Sequence, residues 1–115
     1  MALRSVVLRF LKQIKTIRNS LVLTSSAASS VLILAGSRFR DITFLEASNT
    51  SATNVRIDIS DGVLTYSWFL AASGGGFNIN FDPPLAASNP ATPWTAAISA
   101  SVTDVRVSAQ AVETY

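Results

Sequence analysis

The chain has 115 residues, enough for one compact domain with a short appendage and too few for two full domains. Apolar residues make up 49% and charged ones 14%, so the chain buries a core instead of staying disordered, and its net charge of +2 conceals an asymmetry between two parts. With no cysteine and no histidine it has no disulfide, thiolate nucleophile, usual zinc site or imidazole relay, which removes most familiar enzyme mechanisms and leaves the redox compartment open.

Arg4, Arg9, Lys12, Lys15 and Arg18 open the chain with no acid among them, whereas Arg38, Arg40, Arg56 and Arg106 face seven acids in the remainder. At about 100° per residue, Leu3, Val6, Val7, Phe10, Leu11, Ile14, Ile17 and Leu21 fall on one face and Arg4, Lys12, Lys15, Arg18 and Asn19 on the other. This pattern predicts an N-terminal amphipathic α-helix over residues 1–21, preceding a β domain over 22–115. A charge every three to five positions argues against a secretory signal or a membrane span. Such a helix can dock a partner protein, pack on its own domain or its copies, lie on anionic lipid, or grip nucleic acid. Charge alone is a weak signal for the last two, so docking and packing take precedence.

From about residue 21 the pattern alternates and β-branched residues accumulate. Leu21 and Leu23, then Val31 to Leu34, mark two runs separated by the polar stretch 24–30. Arg40 to Leu45 forms a third, with Ile42 and Phe44 on one side, before a loop over 48–54. Val55, Ile57 and Ile59 alternate with Arg56, Asp58 and Ser60, and Asp61-Gly62 signals a tight turn into a return strand from Val63 to Leu70. In that strand Tyr66, Trp68 and Leu70 share one face and Thr65, Ser67 and Phe69 the other.

Gly74-Gly75-Gly76 interrupts the chain before Phe77, Ile79 and Phe81 alternate with Asn78, Asn80 and Asp82. Pro83-Pro84 is expected to stop that strand, because neither proline donates to a ladder. After a loop over 86–93, Trp94 to Ser99 and Val102 to Ala111 complete about eight strands. The expectation is an all-β antiparallel β-sandwich, with a jelly roll as the favoured topology.

Chemistry is sparse. Lys12 and Lys15 are the only lysines and lie apart from the serine-rich body, so a Ser–Lys pair has no obvious geometry. Asp58 and Asp61 are the nearest carboxylates, but their place at a hairpin favours turn formation over glycosidase chemistry. The segment from Asp58 to Gly62 lacks the dense donors and closing glutamate of a calcium loop, and the glycine triplet lacks the lysine of a phosphate loop. No enzymatic activity, metal or cofactor is therefore expected. Trp68 and Trp94, with Tyr66 and Phe69, are candidates for a platform for sugar or single-stranded nucleic acid, with core packing or burial between subunits as the plainer and preferred role.

The segments Asn49-Thr50-Ser51-Ala52-Thr53-Asn54-Val55-Arg56-Ile57-Asp58-Ile59-Ser60-Asp61-Gly62, Gly74-Gly75-Gly76-Phe77-Asn78-Ile79-Asn80-Phe81-Asp82-Pro83-Pro84-Leu85 and Asn89-Pro90-Ala91-Thr92-Pro93-Trp94 resemble the small β-sandwich structural proteins of tailed bacteriophage virions, including capsid decoration (cement) proteins. The resemblance spans roughly residues 24–112 and leaves out the basic helix. It implies a non-enzymatic virion component made in the host cytoplasm and located on the capsid surface, with a homo-oligomer, a trimer above all, as its state. Its partner would be the major capsid protein or another virion protein, docked through Arg4, Phe10, Lys12, Ile14, Lys15 and Arg18. The alternative is a tail, neck or spike component in which the aromatics or the loops at 48–54 and 86–93 meet a host glycan. Nucleic acid and membrane are the less favoured partners.

Overall fold

The structure, a computed structural model, describes residues 14–102 and 104–114. Among them are eight strands: β1 (Ile14–Leu23), β2 (Ser30–Ile33), β3 (Arg40–Asn49), β4 (Val55–Ser60), β5 (Thr65–Leu70), β6 (Gly75–Leu85), β7 (Trp94–Ile98) and β8 (Val105–Thr114). They form two four-stranded sheets, ordered β1-β8-β3-β6 and β2-β7-β4-β5, with every pairing antiparallel. The pairing is nested: β1 meets β8, β2 meets β7, β3 meets β6 and β4 meets β5, as in one long hairpin doubled back on itself. The β3–β8 and β4–β7 ladders then join the pairs into sheets.

The alternation read from the sequence places the core. Val55, Ile57 and Ile59 of β4 and Val105, Val107, Ala109 and Ala111 of β8 are buried, and Leu32, Ile33, Ile42, Leu45, Leu70 and Trp94 fill the space between the sheets. Each fully buried Leu, Ile or Val contributes about 1.5–3 kcal/mol of transfer free energy, which makes this layer the main source of stability. Asn19 ties the sheets together at one margin, its Nδ2 donating to the Leu32 carbonyl at 2.9 Å.

Four expectations change. Ile14–Leu23 is a strand, so the helix expected over 1–21 fails from residue 14 onward; its earlier part lies outside the described residues. The apolar spacing of Ile17 and Leu21 suits both periods, and the ten-residue ladder with β8 decides for the strand by satisfying the backbone within a sheet. In β3, a bulge between Ile42 and Phe44 breaks the alternation: Ile42 is buried, Phe44 is not, and Leu45 and Ala47 take the inward positions. The turn after β4 spans residues 61–64, leaving Val63 and Leu64 in a loop, because the Asp61 side chain accepts from the Val63 and Leu64 amides and closes a wider turn. Finally, β6 continues through Pro83 and Pro84; it is an edge strand, where a residue without an N–H is tolerated.

Strand directions sort the connections into two groups. Loops 24–29, 50–54, 71–74 and the β7–β8 connection gather at one end, hereafter the hydroxyl end. Loops 34–39, 61–64 and 86–93 gather at the other, the terminal end, with the start of β1 and the finish of β8.

Candidate interaction surface

The hydroxyl end is held by neutral hydrogen bonds. Asn49 is fully buried; its Nδ2 donates to the Thr53 and Leu70 carbonyls at 2.8 and 3.2 Å, and its Oδ1 accepts from the Ser51 amide and hydroxyl at 3.0 and 2.6 Å. Ser26 and Ser101 pair through their hydroxyls, and the Val102 amide donates to the Thr24 carbonyl. An open depression lined by Thr24, Ser51, Ala52, Thr53, Ser101 and Val102 lies here. The charged residue of these loops is Asp104, held below the usual carboxylate range by the Thr50 hydroxyl and, against some burial, by Arg106.

The terminal end is held by ions. Arg40 Nε lies 3.1 Å from Glu113 Oε1 while its Nη1 donates to the Leu34 carbonyl at 2.9 Å, and the indole of Trp94 donates to the Arg40 carbonyl at 2.8 Å. A Cβ at Gly36 would stand 2.6 Å from both Arg40 Nε and Glu113 Oε1, so a larger residue there would have to displace the ends of this pair. Two buried aspartates fix the crossing from β6 to β7: Asp41 Oδ1 accepts from the Ala87 amide at 2.9 Å, and Asp61 Oδ2 from the Ser88 amide at 2.8 Å. Burial pushes the Asp61 carboxyl up, but the hydrogen bonds it accepts from Ser88, Leu64 and Val63 outweigh that cost and hold it at about 2.

The loops of this end also carry exposed apolar side chains. Ile33 is opposite Trp94 where the β2–β7 ladder ends, just before Leu34. Thr92 lies against Gly62, whose φ of 93° suits glycine and where an added side chain would run into the Thr92 methyl group. Val63 and Leu64 follow in the same turn. Leu34 and Val63 are each 69% exposed and Leu64 49%.

The residues singled out in the sequence do not converge. Arg4, Phe10 and Lys12 lie outside the described residues, and Ile14 begins β1. Lys15 and Arg18 are exposed, but strand alternation sends them to opposite faces; Lys15 is in register with Glu113, whereas Arg18 donates to Gln110 Oε1 at 3.0 Å beside Phe44. Trp94 is buried in the core and Trp68 is half-buried, stacked on Phe77 with centroids 5.0 Å apart. Phe69, 80% exposed on the outer face of edge strand β5, is the most exposed aromatic among the described residues.

Asp58 and Asp61 play separate parts. Asp58 takes a bidentate contact from Arg56 at 2.9 and 3.1 Å and a 2.6 Å bond from Ser67, and Arg56 above all holds it below the usual range; Asp61 is buried within its turn. Among the described residues no three of His, Cys, Asp and Glu gather into a cluster fit for a metal. Sequence reading missed Leu34, Val63 and Leu64, which it placed in strands; the one signal was that each adjoins a glycine-containing turn.

No family model and no curated protein matches the chain. Among solved structures, a chain from a study reporting that Bacillus endospore appendages form a novel family of disulfide-linked pili superposes with a TM-score of 0.52 and 14% identity, over 90% of this chain and 89% of that one. A chain of the cyanophage Pam1 capsid asymmetric unit gives 0.53 and 13%, over 89% and 86%. A chain of the virus-like particle of the giant freshwater prawn Macrobrachium rosenbergii extra small virus gives 0.45 and 16%, over 88% and 78%. The likeness is one of fold.

Proposed function

We propose that the chain is a structural component of a virus particle, a decoration protein that binds and stabilises the assembled capsid of a tailed bacteriophage and acts by binding, not catalysis. The observation that carries this reading is the agreement in fold with the cyanophage capsid chain over nearly the full length of both. The nested order β1-β8-β3-β6 and β2-β7-β4-β5 supports it: we read this order as that of a jelly roll, an architecture of many capsid domains. A ligand that binds only the assembled lattice shifts the equilibrium toward it. The likeness to the endospore pilus chain favours an appendage as the second reading, but a chain without cysteine cannot be disulfide-linked to its neighbours.

A homotrimer is the proposed state, and sedimentation of the full chain would check it; a monomer at particle-binding concentrations would overturn that part. The main test is quantitative detection of the chain on purified phage particles, followed by heating of particles with and without it. Many copies per particle and earlier loss of genome from depleted particles are expected. Absence of the chain from particles would overturn the reading. A deletion test must stop at residue 13, since removing 14–20 strips β1 from β8 and damages the sheet.

A further inference from the structure

We infer, independently of the virion reading, that edge strand β5 is the seam through which two copies of this chain join, β5 of one pairing antiparallel with β5 of the other. Among the described residues, four strands form the margins of the sandwich: β1 and β6 in one sheet, β2 and β5 in the other. An open edge pairs with a passing strand unless charge, proline or shortness spoils it. β1 carries Lys15 and Arg18, β6 carries Asp82, Pro83 and Pro84, and β2 is four residues long with a register shift between Val31 and Ile33. β5, Thr65-Tyr66-Ser67-Trp68-Phe69-Leu70, has no charge and no proline and pairs with β4 without a shift; its Thr, Tyr, Trp and Phe are strong strand formers.

The hydrogen bonds of its neighbours define what β5 offers. The Ser99 amide donates to the Arg56 carbonyl at 3.0 Å, so Arg56 turns its backbone groups toward the β7 side, and Val55 and Ile57, on either side of it, turn theirs toward β5. At the hairpin end the Asp61 amide donates to the Leu64 carbonyl at 3.1 Å, in the same alternation. Ile57–Trp68 and Ile59–Tyr66 are therefore the hydrogen-bonded pairs, and Thr65, Ser67 and Phe69 turn their amides and carbonyls to the open margin. Ser67 is the middle one of these three. A two-fold axis beside it sets Ser67 opposite its own copy and Thr65 opposite Phe69, and every outward amide of the three then meets an outward carbonyl.

The side chains suit the same register. Phe69, 80% exposed on the outer face, meets Thr65 of the copy, an aromatic against a β-branched residue. On the inner face Tyr66 comes opposite Trp68 in a close, non-hydrogen-bonded pair. Both rings pack on the core yet are only half-buried, whereas Ile57 and Ile59 beside them on β4 are fully buried, so the pairing completes the apolar layer at this margin. Charge favours a second copy as the occupant. A strand charged with one sign repels its own copy, but β5 is neutral, and the ions beside it on β4, Arg56 and Asp58, neutralise each other at 2.9 and 3.1 Å. So short a ladder makes a weak pair that forms as concentration rises, and it adds to the three-fold contacts proposed above, joining one trimer to another.

Sedimentation of the full chain over a range of concentrations tests this. The mass should double as concentration rises. Phe69→Lys changes an exposed side chain and puts a charge on the seam; it should raise the concentration needed by at least roughly ten-fold while its circular dichroism matches wild type. Val31→Lys, with the same charge on the other edge of that sheet, should pair as wild type does. Because the chain has no cysteine, single cysteines check the register. Under mild oxidation Ser67→Cys should cross-link two copies at least roughly ten times faster than Thr65→Cys, since residue 67 faces its copy at a distance a disulfide spans and residue 65 does not. No doubling by wild type up to about 1 mM, equal doubling by Phe69→Lys, or equal loss in Val31→Lys overturns the seam. Equal cross-linking of the two cysteine variants overturns the two-fold register and the inference with it. A wild type that never doubles, yet binds phage particles and loses that binding through Phe69→Lys, gives the edge to a strand of another protein and overturns the second copy as its occupant.

Discussion

The two ends of this sandwich solve one structural problem with different chemistry. At the hydroxyl end a neutral amide, Asn49, satisfies two carbonyls and accepts from Ser51, whereas at the terminal end carboxylates do the equivalent work: Asp41 and Asp61 for loop 86–93, and Glu113 for Arg40 and through it loop 34–39. Neutral bonds hold their strength at any pH, while a carboxylate acceptor gives stronger, charge-assisted bonds that protonation removes. The difference teaches that the hydroxyl end has a central tie at Asn49 that pH does not touch, with a carboxylate, Asp104, at its rim, whereas the terminal end builds its loop geometry on carboxylates.

Four measurements would break or sharpen that contrast. The largest effect is expected from Asn49→Ala, which leaves the Thr53 and Leu70 carbonyls and the Ser51 donors without a partner; about 3 kcal/mol should be lost in denaturant unfolding, and a loss below about 1 would show that the hydroxyl end has no central tie. Next comes acid. The folded Asp61 value of about 2 is below its ordinary value of 3.8, so its contribution is fully present above about pH 4 and fades as pH falls through about 2, a change of about 2 kcal/mol. Asp61→Asn should lower stability at neutral pH, since an amide cannot accept from all three backbone donors, and should flatten the acid limb. Amide exchange at pH 2–3 should quicken first at Val63, Leu64 and Ser88, and equal quickening around Ser51 would erase the contrast.

A smaller loss, about 1–2 kcal/mol, is expected for Gly62→Ala, which combines a positive φ with the Thr92 methyl in the way. Thermal unfolding measures it. The smallest belongs to Ser26→Ala: its pairing with Ser101 is exposed, and the change should stay within about 0.5 kcal/mol, so a larger drop would mean that the hydroxyl rim is more than a solvated surface.

Much of the fold is legible in the sequence because a sheet buried on one face writes its period into the chain. Val55-Arg56-Ile57-Asp58-Ile59 and the run from Val105 to Ala111 alternate without error, and the strands lie where the alternation places them. The failures have physical causes. Ile14, Ile17 and Leu21 satisfy a helical and a sheet period together, and only the partner strand β8, far away in sequence, breaks the tie. The bulge in β3 and the side-chain-closed turn at Asp61 arise from long-range or local hydrogen bonding that composition does not encode. The surface was the least legible part: Lys15 and Arg18 share a face only in a helix, and Leu34 and Val63, distant in sequence, come to the same end only once β2, β7 and β4 are side by side.

The prolines of β6 have a further effect. An open sheet margin is an invitation to a passing strand. Successive amides of a strand point to opposite sides, so one of Pro83 and Pro84 takes a donor from the open margin, and an incoming chain would find the row of donors interrupted there. A strand seeking to extend the sheet past this point is thereby hindered.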